Sequence, residues 1–85
     1  MNVELQRLEH AVQSHLGPYL GESMAHAALV GHCRSLGIDT DLLGGEQVET
    51  LLGRLQQGMK IFVGSEKAEQ LVGRLREELD LGGGA

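Results

Sequence analysis

Three residues in the first half of the chain, His26, His32 and Cys33, have side chains that can bind a metal or take part in nucleophilic chemistry. His26 and Cys33 are seven residues apart, so a helix would place them on the same face. A zinc site needs three or four converging ligands, yet the chain contains neither a Cys-x-x-Cys nor a His-x-x-x-His motif. We therefore expect His32 and Cys33 to pack between helices, His26 to lie at a boundary or on the surface, and no metal site. A metal or ligand binder that uses these three residues is the alternative from a different functional class.

The sequence does not predict catalysis. A nucleophilic Cys33 would need a neighbouring base, but the side chains of His32 and Arg34 point away from it if the segment is helical. The pair Gly44-Gly45 precedes a helical pattern, but the lysine of a phosphate-binding loop does not follow it. We therefore expect a protein that is not an enzyme, with no catalytic residue and no cofactor.

Composition restricts the partners that this chain could have. It has 85 residues, one cysteine, two aromatic residues and a net charge of −5. The acidic balance argues against nucleic acid as a partner, and no stretch of about 18 apolar residues is present to span a membrane. A single cysteine fits a reducing compartment, so we expect a cytoplasmic protein. Because a domain this small is only marginally stable alone, we expect it to form a homodimer or a higher oligomer, or to bind another protein.

A repeated segment predicts the architecture of the second half. Residues 49–55 return as residues 69–75 with five of seven positions identical, and each copy lies in an apolar pattern of helical period. One unbroken helix would place the two leucine stripes on nearly opposite sides, whereas a fold-back turns both toward one core. We predict a helical hairpin within an all-α fold, a compact bundle of four main helices. The single domain covers residues 1–81, and residues 82–85 form a flexible glycine-rich tail.

The first half predicts two helices that meet at Gly17-Pro18. Asn2 would cap the first helix, and the second would run from about Pro18 to Leu36 and end at Gly37. The second helix is apolar on two sides, so we expect it to be central and buried. One stripe is formed by Leu20, Met24, Ala27, Ala28 and Gly31, and the other by Ala25, Leu29, His32, Cys33 and Leu36.

The remaining elements follow from turn signals and periodicity. We expect Leu42-Leu43 to form a short helical turn that closes the core. The third helix would run from near Glu46 to Gly64, and Ser65 would cap the fourth. Residues 59–63 are also rich in strand-forming types, which leaves a strand as the rival interpretation. The core stripes are Val48, Leu51, Leu52, Leu55, Met59, Phe62 and Val63 in the third helix, and Ala68, Leu71, Val72, Leu75 and Leu79 in the fourth.

The repeat also contains the candidate partner-binding residues. A helical wheel places Gly53, Arg54, Gly73 and Arg74 away from the leucine stripes. A tolerated surface and a contact surface are equally compatible with this placement. In the second case the glycines would let another chain approach closely, and the arginines would pair with its carboxylates.

A broader resemblance covers roughly residues 16–79. The pattern of Leu16-Gly17-Pro18, an alanine-rich helix, Leu36-Gly37-Ile38 and a leucine helix that ends in residues 62–68 resembles small helical modules appended to bacterial signalling proteins. The resemblance implies a bacterial protein–protein interaction or oligomerisation module in signalling or regulation. A second alternative is a small acidic inhibitor, encoded by a phage or mobile element, that blocks a basic site on its target.

Overall fold

The structure is a computed structural model, and it describes residues 2–79. Its elements are β1 (Asn2–Glu4), α1 (Leu5–Leu20), α2 (Glu22–Ser35), β2 (Leu42–Gly44), α3 (Gly45–Val63) and α4 (Ser65–Glu78). Four helices make up most of this range, which confirms the predicted bundle and its C-terminal hairpin. The predicted tail, residues 82–85, lies outside the described residues.

A single residue, Gly64, connects α3 and α4 in the hairpin. Gly64 has φ +87° and ψ 164°, a conformation open in practice only to glycine. The predicted end of α3 at Gly64 is therefore confirmed. The predicted cap of α4 is wrong, because Gly64 precedes this helix and Ser65 is its first residue. The strand interpretation of residues 59–63 is wrong, because α3 continues to Val63 and buries Met59. Farther along the hairpin, Arg76 Nη2 donates a hydrogen bond of 2.7 Å to Glu49 Oε1 and ties the two helices together.

The boundary between α1 and α2 differs from the prediction. Gly17-Pro18 does not stop α1, which continues to Leu20 and ends at Gly21 with φ +89°. Pro18 lies in the last turn of α1, where its missing N–H removes the helical bond to the Ser14 carbonyl, but the Gly21 N–H still donates to the Gly17 carbonyl at 2.7 Å. The second helix therefore begins at Glu22, four residues later than expected.

A two-stranded ribbon was not anticipated from the sequence. Asn2 does not cap a helix and Leu42-Leu43 is not helical, because β1 and β2 pair in antiparallel register with Val3 opposite Leu43. Both of these side chains are buried, so Leu43 does close the core as expected, but from a strand. The Leu5 N–H donates to the Asp41 carbonyl at 2.7 Å, which joins the ribbon to the start of α1.

The end of α2 follows the predicted geometry. Gly37 has φ +71°, the Ile38 N–H donates to the Cys33 carbonyl at 2.8 Å, and the Gly37 N–H donates to the Arg34 carbonyl at 3.2 Å. These two bonds define a Schellman motif, in which a left-handed glycine satisfies the last carbonyls of a helix. Ile38 then packs partly buried against the core.

The hydrophobic core is aliphatic and draws on all four helices and the ribbon. The predicted stripes of α3 and α4 are buried, with two exceptions on α3: Phe62 is exposed and Val63 is only partly buried. The expectation that α2 is central is wrong, since it buries only Ala25, Leu29 and Cys33. The core consists of Val3, Leu8, Ala11, Val12, Leu16, Ala25, Leu29, Cys33, Leu43, Val48, Leu51, Leu52, Leu55, Met59, Ala68, Leu71, Val72, Leu75 and Leu79.

Candidate interaction surface on α2 and α3

The apolar stripe of α2 that does not enter the core faces outward. Met24 is 48% exposed, and Ala27 and Gly31 are exposed as well. These residues follow i, i+3, i+7 spacing, so they lie along one side of the helix. Ala28, next to them, is only partly buried against the core. Apolar residues that the sequence predicted to be interior therefore form part of the surface.

The neighbouring face of α3 is also apolar. Ile61 is 85% exposed and Phe62 is 56% exposed, the two largest values among the bulky apolar side chains of residues 2–79. Arg54, Gly58, Ile61 and Phe62 have i, i+4, i+7, i+8 spacing and so share one side of α3. Exposing an aromatic ring and a branched aliphatic chain together leaves apolar area that burial would stabilise at about 25 cal/mol per Å².

A shallow groove joins the two helices. On the α2 side it is lined by Met24, Ala28 and His32, and on the α3 side by Gly58 and Phe62. It encloses a cavity of about 70 Å³ whose floor includes side chains of the core. We call the combined surface the α2–α3 face; it consists of Met24, Ala27, Ala28, Gly31, His32, Arg54, Gly58, Ile61 and Phe62.

The α2–α3 face differs in charge from the rest of this acidic chain. Twelve Asp and Glu residues are present in the sequence, but none lies in residues 23–35 of α2 or residues 50–63 of α3. Arg54 is exposed on the face, and no ion pair of Arg54 is found within residues 2–79. The face therefore combines apolar side chains with a positive charge.

The four predicted partner-binding residues are divided between α3 and α4. Arg54 belongs to the α2–α3 face, but Gly53 is rotated from it by about 100° around α3. Gly73 and Arg74 lie on α4, which packs against α3 and α1. A Cβ added at Gly53 or Gly73 would meet no atom within 4 Å, so neither glycine is required by packing within the described chain. A role for Gly53, Gly73 and Arg74 in partner binding stays a prediction.

The three residues with metal-binding side chains are separated. His26 hydrogen-bonds Glu9 on α1, whereas His32 lines the groove toward α3. Cys33 is 8% exposed, and burial raises the pKa of its thiol because the thiolate is poorly solvated there. Within residues 2–79 no three His, Cys, Asp or Glu side chains are grouped so that they could hold a metal ion.

A second depression, of about 340 Å³, lies between α1 and α2 and has Cys33 in its lining. Its charged residues are Glu9, Arg34 and Asp39, and Glu9 is already engaged by His26. These groups do not form a set of like donors or acceptors that would select one ligand. The α2–α3 face is therefore the stronger candidate.

No helix within the described range is both long enough and apolar enough to cross a membrane. Comparison of the chain with protein families, curated proteins and solved structures gives no match, so the candidate surface is defined by its geometry alone.

Proposed function

We propose that this chain is a non-catalytic protein–protein interaction module that binds through the α2–α3 face. The observation that supports this most is the joint exposure of Met24, Ile61 and Phe62 beside an apolar stripe of α2. The core already contains apolar side chains from every helix, so these residues are not needed to complete it. Aromatic residues, Met and Arg are enriched at protein interfaces, and all three occur on this face.

The partner in this proposal is another protein or a second copy of the chain. The setting in bacterial signalling or regulation, and the cytoplasmic location, rest on the sequence resemblance and composition described above. The acidic-inhibitor alternative would use the carboxylates and not the α2–α3 face. The two can be separated by salt, because added salt screens exposed charges strongly and affects apolar contacts little.

Polar substitutions on the face test the proposal. Phe62→Gln and Ile61→Gln remove apolar contact area, and Leu42→Gln is a matched control because Leu42 is 51% exposed on β2. Leu42 lies beside the start of α1, whereas Phe62 lies near Leu20 at its end. Circular dichroism would establish that each variant is folded before binding is compared.

The measurement combines affinity capture from the source cells, quantified by mass spectrometry, with light scattering across protein concentration. We expect the native chain to retain a partner protein or to increase in mass with concentration. Phe62→Gln and Ile61→Gln should abolish that association, and Leu42→Gln should preserve it. Association that survives both face variants would contradict the proposal, as would equal loss in the control.

A further inference from the structure

We infer that the partner of the α2–α3 face is an amphipathic helix whose apolar anchors are flanked by carboxylates. This inference rests on the proposed function, since it names the chemistry of the partner that the same face would bind. Two properties of the face support the inference: the shape of the groove and the positive charge beside the groove.

The shape of the groove suits a helix. Met24, Ala28 and His32 are spaced four residues apart on one side of α2, so the groove runs along that helix. Ala28 and Gly58 are small, and a Cβ added at Gly58 would meet no atom of the described residues within 4 Å. Small residues permit a helix axis to approach to about 8 Å. From Met24 to His32 the lining follows α2 for about 12 Å, so a docked helix would make contact over roughly two turns.

The charge beside the groove favours carboxylates on the partner. Arg54 shares a side of α3 with Ile61, and residues 50–63 contain no Asp or Glu to pair with it. An exposed guanidinium at the rim of an apolar surface forms charge-assisted hydrogen bonds with carboxylates. The net charge of −5 opposes an acidic partner only weakly at this face, because exposed charges are largely screened beyond about 8 Å at physiological salt.

The same charge argument disfavours a second copy. A two-fold symmetric dimer places the same patch on both sides of the interface. Glu46 is on the same side of α3, but it lies about 12 Å from Arg54 along the helix, beside Leu36 and Ile38, and outside the α2–α3 face. The face itself therefore brings no carboxylate to the Arg54 of a second copy. A different chain can bring the carboxylates that this face lacks.

The test uses a display library of amphipathic peptides of about 14 residues, selected on the native chain, and the binding of each enriched peptide is then measured on Phe62→Gln. We expect Phe62-dependent binders to carry apolar residues at i, i+3 or i+4, and i+7, with Asp or Glu beside them. A synthetic peptide that contains Glu should bind about 5-fold more tightly than the same peptide with Gln in place of Glu. This is the difference in affinity expected for one exposed charge pair.

Reversing the charge of single arginines tests which of them is responsible for the preference for the Glu peptide. Arg54→Glu should abolish or invert the preference for the Glu peptide, whereas Arg7→Glu, a reversal of equal size at an exposed residue of α1, should preserve it. An equal effect of both reversals would overturn the inference, because the preference would then reflect net charge. Neutral or basic binders, or no binders at all, would overturn it as well.

The experiments give one result if only the inference is wrong and another if the proposed function is wrong as well. Self-association that Phe62→Gln abolishes would identify a second copy as the occupant, so the proposed function would stand while the inference falls. Binders that are unaffected by Phe62→Gln would overturn both.

Discussion

At the scale of single residues, the glycines of this chain have two distinct roles. Gly64 has a positive φ, so a side chain there is strained whatever the space around it. Gly53 and Gly73 lie inside α3 and α4 without a positive φ, and no other part of residues 2–79 comes within 4 Å of the position of a Cβ. The fold therefore requires a glycine at position 64 but not at position 53 or 73.

This contrast predicts opposite effects of one substitution. Gly53→Ala and Gly73→Ala should each raise the free energy of unfolding by about 0.5–1 kcal/mol, because alanine restricts the unfolded chain and favours helix. Gly64→Ala should lower it by at least about 1 kcal/mol. Urea denaturation of the three variants measures this. If Gly53→Ala or Gly73→Ala weakens binding to a partner while stabilising the fold, the glycine is a contact residue, as the sequence predicted.

At the scale of elements, the ribbon of β1 and β2 seals one end of the helical core. Val3 is 1% exposed and Leu43 is fully buried, although each strand has only three residues. A strand pair this short contributes few backbone hydrogen bonds, so its value to the fold comes mainly from the two side chains that it buries.

Truncation of Val3 tests that role. Val3→Ala should lower the free energy of unfolding by about 2 kcal/mol, because it removes buried methyl groups and leaves a cavity. Glu4→Ala, at the next position and on the exposed side of β1, should change it by less than about 0.5 kcal/mol. Chemical denaturation of both variants gives the comparison. Equal effects would mean that the ribbon does not pack on the core as described.

At the scale of the whole molecule, the apolar residues divide between a closed core and an open face. Met59 and Phe62 are three residues apart on α3, yet Met59 is 1% exposed and Phe62 is 56% exposed. Both line the groove, Met59 from below and Phe62 at the surface. The division explains how the chain can be folded and still present apolar surface to a partner.

Because Met59 lies in the core and Phe62 lies on the α2–α3 face, replacing each by glutamine should lower the free energy of unfolding by different amounts. Phe62→Gln should alter the free energy of unfolding of the monomer by less than about 0.5 kcal/mol, as surface substitutions do. Met59→Gln should lower it by about 2 kcal/mol or more, because an amide would be buried without a partner. Thermal or urea denaturation at low protein concentration separates the two. A large loss from Phe62→Gln would show that Phe62 stabilises the core, and would remove the main support for the α2–α3 face.

Much of the helical architecture could be read from the sequence because its determinants are local. The periodic leucines of α3 and α4 and the glycines at positions 37 and 64 act through neighbouring residues, and all are found in the predicted roles. The end of α1 could not be located in this way. Both Pro18 and Gly21 are compatible with a helix end, and the fold uses the glycine.

The ribbon and the candidate surface depended on the tertiary structure. Val3 and Leu43 are forty residues apart, and a strand of three residues has too little periodicity to reveal its pairing. The sequence of α2 shows two apolar stripes, but their inward or outward orientation depends on how α1 and α3 pack against that helix. Local periodicity therefore determined that the helices exist and where most of them end, whereas only packing between distant segments decided which apolar residues became core and which became the α2–α3 face.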